Sequence, residues 1–385
     1  MKISTRAQTP PFFAMDVLAD AKALARSGRD ILHMEVGEPS HPAPLAAQQA
    51  VSRAMTDGAV MGYTSGLGIP ELREGIAALY ATRHGISVDP ERVVVTAGSS
   101  AGFSLTFLTL FEPGDRLALA DPGYPCYRNV SRSLGLEPVR IEAGLDSGYQ
   151  PTPALLDAAG ELDGLLVASP ANPTGSMLDR EALGALVTHC ADRDIALISD
   201  EIYHGLTYTE PAASALEFTD DVFIINSFSK YWSMTGWRIG WMVVPQRFVR
   251  TVQNLAQNFF ICAPHVSQIA ALGALSEAGE AEVNQHINGY AANRALLAET
   301  LPLLGFTRIA PSDGAFYAYA DISGLAEDAQ SFCSRLLHEA GIAITPGLDF
   351  DPVRGAQTVR FSYAQHPNLV AEAMERLRRF LRAGS

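Results

Sequence analysis

The sequence predicts an α/β protein, in which a large domain with a mostly parallel sheet sandwiched by helices adjoins a smaller α+β domain. Three observations predict it. Five apolar runs have the length of strands and scarcely alternate, as strands covered on both faces do. Stretches of helical period separate them. The last ~110 residues then change character, to long helical stretches around two short strand-like pieces.

In chain order, residues 14–26 read as a helix closed by Gly28, which could belong to either lobe. Leu72, Ile76, Leu79 and Tyr80 form the stripe of a second helix, with Pro70 suited to its first turn and Gly85 to its exit. The apolar runs follow at 93–97, 117–120, 165–168, 195–199 and 222–226. Leu183, Leu186, Val187 and Cys190 recur at i, i+3, i+4 and i+7 on a helix that opens near Asp179 and fills a crossover between two of these strands. Helices over about 280–304 and 327–340 flank a strand at 315–320, and 358–363 adds another. The expected division is 45–275 for the large domain, with 1–44 and 276–385 making the small one.

With 385 residues, 48% of them apolar, the chain can bury one large core or two adjoining ones. Its 42 acidic and 28 basic side chains leave a net charge of −14, which repels phosphate backbones and anionic headgroups. Neither nucleic acid nor a membrane is an expected partner. No apolar run approaches the ~18 residues of a span, and the start lacks the apolar core of a signal peptide, so the cytoplasm is the expected location. Cys126, Cys190, Cys262 and Cys333 lack the close spacing of metal sites or disulfide frameworks, so no metal is expected.

Only three of the basic residues are lysines: Lys2, Lys22 and Lys230. Arginine replaces lysine easily at a solvated surface but not where a primary amine must act as a nucleophile. Lys230 is therefore either an accident of composition or a retained reactive amine. No glycine precedes a lysine, which excludes a P-loop, and Gly66-Leu67-Gly68 has Glu71 where a dinucleotide fingerprint needs its third glycine. The remaining polar residues gather at the predicted carboxyl ends of strands, where open α/β sheets bind ligands. Asp200 closes one run, with Tyr203 three residues on; a carboxylate there needs a cation or donors, such as a protonated pyridine nitrogen. Ser227-Phe228-Ser229-Lys230 follows the next run, and Arg238 stands between glycines beyond it; serine hydroxyls and a guanidinium suit a phosphate. Gly98-Ser99-Ser100 joins a strand to a helix amino end, an anion site.

Ala171-Asn172-Pro173-Thr174-Gly175, Asp200-Glu201-Ile202-Tyr203 and Ser227-Phe228-Ser229-Lys230, followed by Met234-Thr235-Gly236-Trp237-Arg238, resemble in order and spacing the signatures of class I/II aminotransferases, the fold type I pyridoxal 5′-phosphate (PLP) enzymes of the aspartate aminotransferase superfamily. Val36-Gly37-Glu38-Pro39, Tyr63-Thr64 with Leu72-Arg73, and Val359-Arg360-Phe361-Ser362 extend the resemblance over nearly the whole chain.

The resemblance implies a ping-pong exchange of an amino group between an L-amino acid and a 2-oxo acid. A PLP-dependent carbon–sulfur β-lyase is the alternative, and a non-catalytic PLP-binding regulator module a remote one. It implies that Lys230 holds PLP covalently and moves the proton between Cα and the cofactor C4′. Asp200 pairs with the pyridine nitrogen, and Asn172 and Tyr203 bond the ring 3-oxygen. Ser99, Ser100, Ser227 and Arg238 grip the phosphate, with Tyr63 reaching it from the second subunit of a homodimer. Tyr124 stacks on the ring. Arg360, with the backbone of Gly37 and alongside Asn172, takes the substrate α-carboxylate. Glu201 and His204 receive no role. Related aspartate-specific enzymes carry a lysine where this chain has Ser100, so donors with uncharged side chains are expected, with Phe12, Phe13, Tyr124 and Phe316 as candidate wall residues and Arg128 as the one candidate second cation.

Overall fold

A computed structural model describes residues 1–383. Seven strands lie in the order Val93–Thr96, Gly240–Val243, Phe223–Ser227, Ala196–Asp200, Gly164–Ala168, Arg116–Asp121 and Glu137–Glu142. All five apolar runs are strands of this sheet. Their side chains split by period two: Val93, Val95, Leu165, Val167, Leu197 and Ile224 belong to the core on one face, and Val94, Leu117, Leu166, Ile198 and Ile225 to the core on the other. Helices Pro70–His84 and Arg180–Asp192 contribute Leu72, Ile76, Leu183 and Leu186 to the first core. Helices Ser99–Leu110 and Val249–Phe259 contribute Phe103, Phe107 and Val252 to the second. Burial on both sides is the physical reason the runs do not alternate.

Four neighbouring pairs are parallel, from Glu137–Glu142 across to Phe223–Ser227. Gly240–Val243 is antiparallel to both its neighbours, and this reversal places the site. With Ser227 opposite Gly240 and Gly240 opposite Thr96, the amino end of the reversed strand meets the carboxyl ends of the others at one edge. Ala168, Asp200 and Ile225 stand in register there. The segments leaving that edge are the ones carrying Asn172, Asp200, Lys230, Tyr124 and Ser99, and the segment entering it carries Arg238.

A second, antiparallel sheet joins Thr345–Pro346, Thr358–Ser362 and Tyr317–Asp321. Leu32–His33 pairs in parallel with Ile342–Ala343. The long helices here are Phe13–Arg26, Glu277–Leu303 and Pro367–Ala383. The helix expected over 327–340 is regular only through Ala329–Arg335 and widens to a π turn at Leu336–Ala340.

Helix Phe13–Arg26 has no local cap, because Phe12 at its N-cap offers no acceptor. Its first amides are satisfied from far along the chain: Phe13 N–H and Ala14 N–H donate to the two carboxylate oxygens of Asp349 at 2.8 and 2.7 Å. Burial raises the Asp349 carboxyl pKa, and these two donors oppose that rise. Asp349→Ala leaves two amides without partners and is expected to cost about 1–3 kcal/mol. The measurement is denaturant unfolding with limited proteolysis; cleavage before residue 26 should accelerate, and an unchanged cleavage rate would show that the helix is held by other contacts.

Candidate active site

A cavity of about 220 Å³ opens at the shared strand edge and is closed from above by the second sheet and the amino-terminal helix. Lys230 reaches it three residues beyond strand Phe223–Ser227, and its ammonium donates to the Gly37 carbonyl. Burial, with Arg360 and Arg238 adding repulsion, pushes the Lys230 pKa down to about 8, so a usable fraction is neutral amine near neutral pH. Asp200 is 2% exposed at the end of its strand. Tyr127 O–H donates to one carboxylate oxygen and Ile202 N–H to the other, at 3.1 Å for the latter. Burial outweighs these bonds and raises the Asp200 pKa to about 6.

At one end, Arg238 stands in the left-handed region at φ 51° and lays its guanidinium against Gly98, where a Cβ would meet Nη2 at 2.5 Å. Gly98 itself has φ 81° and opens helix Ser99–Leu110, so the amino end of that helix, Ser99, Ser100 and Arg238 form one positive cradle. At the other end Arg360, 3% exposed, donates Nη1 to Asn172 Oδ1 at 2.9 Å and Nη2 to the Glu35 carbonyl. Its Nε–H is buried without a partner. Among the described residues no carboxylate forms an ion pair with Lys230, Arg238 or Arg360. Arg360 is buried, Lys230 partly buried and Arg238 exposed, and the buried charge is costly unless an anion enters.

The cavity gathers Lys230, Asp200, Tyr203, Asn172, Ser99, Ser100, Tyr124, Arg238, Arg360 and Gly37. Two expected residues lie elsewhere. Ser227 is fully buried behind the wall, with its Oγ 2.8 Å from Ser229 Oγ and 2.9 Å from the Ile239 carbonyl; Ser229 is the serine that lines the cavity. Tyr63 is 83% exposed and takes no part in this chain's own cavity. Phe12 and Tyr124 line the wall, whereas Phe13 and Phe316 do not; Tyr317, the first residue of strand Tyr317–Asp321, lines it next to Phe316 in the chain. Arg128 is also outside, its Nη2 donating to the Asp349 carbonyl at 3.2 Å and its Nη1 lying 3.6 Å from Asp121. Tyr127 and Tyr317 were not singled out from sequence. Tyr127 follows Tyr124 by one helical turn, a spacing common in any amphipathic helix.

A family model described as aminotransferase class I and II matches residues 29–377. A valine–pyruvate aminotransferase of Mycobacterium tuberculosis is 46% identical over 98% of this chain and 97% of its own length. An aspartate/prephenate aminotransferase of Thermus thermophilus is 34% identical over 98% of each chain. A crystal structure of an aminotransferase from Mycobacterium tuberculosis superposes with TM-score 0.97 at 45% identity over all of both chains.

The lowered amine pKa has a direct test. In cofactor-free protein, the rate of Lys230 modification by trinitrobenzenesulfonate, followed by peptide mapping, should rise with pH and reach half its plateau near pH 8 rather than the ordinary 10.5. A midpoint near 10.5 would mean that the amine is solvated.

Proposed function

The chain belongs to the class I and II aminotransferases, and from that premise we propose that this cavity moves the amino group of an L-amino acid with an uncharged side chain to a 2-oxo acid. The family works with PLP, and the donor set fits it: a positive cradle for a phosphate, a buried carboxylate for a pyridine N–H, an amine between them and a separate guanidinium for a carboxylate. PLP, when bound, supplies the electron sink that acidifies the substrate Cα–H. The unpaired, buried Arg360 is the single observation that carries the substrate reading.

Lys230 is proposed to hold the cofactor covalently and, once released, to take the proton from Cα and return it at C4′. Its lowered pKa suits both duties. Asp200, kept anionic by a cationic pyridinium partner, would fix the ring nitrogen in its protonated form. Ser99, Ser100, Arg238 and the helix amino end would hold the phosphate, Asn172 and Tyr203 the ring oxygen, and Tyr124 the ring face. Arg360, oriented by Asn172, would bind the α-carboxylate with the donors left free by its three internal bonds, to Asn172, the Glu35 carbonyl and Thr345 Oγ1.

Two observations support an uncharged side chain. The cavity lining includes the apolar side chains of Phe12, Ala14, Met15 and Val36, and Arg128, the one candidate for a second carboxylate, is already engaged by Asp121 and the Asp349 carbonyl. The relative named for valine and pyruvate agrees with this. Valine should exceed aspartate in kcat/KM by more than ~10-fold, about 1.4 kcal/mol in the transition state. Preference for aspartate would reveal a cation elsewhere in the wall.

A cytoplasmic homodimer is part of the proposal. Tyr63 is exposed beside Val60, and the segment is tied to the exposed Phe259, Phe260 and Ile261 region through Thr64 N–H to Cys262 Sγ and through His265 to the Gly62 carbonyl. Such an apolar surface calls for a cover, and a second copy would bring Tyr63 to the partner's phosphate cradle. No helix among the described residues is long and apolar enough to cross a membrane. Sedimentation should give a dimer, and Tyr63→Phe should weaken PLP retention; a fully active monomer would refute shared sites.

A further inference from the structure

We propose that Tyr317 is a second tyrosine of the cofactor site, whose hydroxyl donates to Tyr203 and so strengthens the bond that Tyr203 makes to the ring 3-oxygen of PLP. The inference rests on the reading that this cavity holds PLP. The Tyr317 and Tyr203 hydroxyl oxygens are 2.7 Å apart, both residues are buried, and both line the cavity.

The position of the Tyr317 hydroxyl is built from three sides. A Cβ at residue 37 would fall 1.8 Å from it, so glycine at that position is the space the hydroxyl occupies. The Arg360 guanidinium lies 4.6 Å from the centre of the Tyr317 ring. The Tyr203 ring meets it edge-on, with centroids 5.7 Å apart and planes at 81°. Tyr317 therefore touches the substrate-carboxylate arginine, the loop that accepts from Lys230, and the tyrosine assigned to the ring oxygen.

Proton counting sets the direction. Each phenol has one hydrogen, and burial keeps both protonated by raising their pKa values. If Tyr203 gives its hydrogen to the ring oxygen, it can only accept from Tyr317, so Tyr317 is the donor. The guanidinium over the Tyr317 ring favours donation by that phenol, since Arg360 acts to lower its pKa. Two bonds in series polarise one another, by perhaps 10–30% each in a low-dielectric site. The ring oxygen then carries less charge than Tyr203 alone would leave on it.

The test uses the holoenzyme and reads its absorbance rather than its turnover. With less charge drawn from the ring oxygen, the adjacent proton is held to higher pH. Tyr317→Phe should move the pH midpoint of the visible band up by roughly 0.3–1 unit. Tyr203→Phe should move it further, and the double variant should match Tyr203→Phe alone, because Tyr317 acts through that hydroxyl. Replacing Tyr317 by 3-fluorotyrosine, a stronger donor of nearly the same size, should move the midpoint down, which a packing role would not do. An unchanged midpoint in Tyr317→Phe, or a shift that adds to that of Tyr203→Phe, overturns the inference while leaving the cofactor reading intact. A wild-type protein that shows no titrating visible band with PLP overturns both.

Discussion

Arg360 is a cation kept almost wholly from water, bonded to an amide oxygen, a backbone carbonyl and the Thr345 hydroxyl, and among the described residues no carboxylate forms an ion pair with it. Burying a charge this way costs several kcal/mol unless a partner arrives. The fold carries that cost by over-determining the side chain: its strand is paired on both sides, Tyr317 and Phe350 face its guanidinium, and Glu35 supplies an acceptor from the amino-terminal segment. Lys230, partly buried and bonded to the Gly37 carbonyl, repeats the pattern on a smaller scale. The apoprotein is thus arranged around ligand charge it does not itself contain, and binding energy is available from the relief of that imbalance.

Asp200 is the counterpart with opposite sign. Its carboxylate accepts from a phenol and an amide, yet burial outweighs both bonds and keeps its pKa elevated. A protonated pyridine would supply a full charge, while the three cations repel one another less once a phosphate and a carboxylate lie between them. Cofactor and substrate therefore complete the electrostatics of the site as well as occupying its volume.

Most of this arrangement was legible in the sequence, and the reasons differ by element. The five strands were visible because burial on both faces leaves long apolar runs, and Lys230 stood out because the chain otherwise avoids lysine. Strand Gly240–Val243 was hidden, since four residues have too little periodicity to read, although Arg238, two residues before it, is the side chain laid against Gly98. Strand Glu137–Glu142 was hidden for another reason: at the sheet edge it keeps charged residues on both sides of its single fully buried Ile141. Tyr127 and Tyr317 act through hydroxyl contacts to residues 73 and 114 positions away, and no local pattern announces a partner at that distance. Ser227 and Ser229 were interchangeable on paper; only the backbone bend after the strand decides which hydroxyl faces the cavity.

The amino-terminal helix has a consequence for how such a protein can change its diet. Its first turn lends Phe12, Ala14 and Met15 to the cavity wall, but the helix belongs to neither sheet and is held by a clasp from Asp349 and by packing of Val17, Ala21 and Leu24 against Leu337 and Ala343. Residues that set the chemistry are locked into strand ends, where any shift disturbs a core. Residues that shape the side-chain pocket sit on a removable lintel. Mutational drift, or a designed library over positions 12 to 15, could therefore retune which amino acids are admitted while the catalytic floor stays untouched.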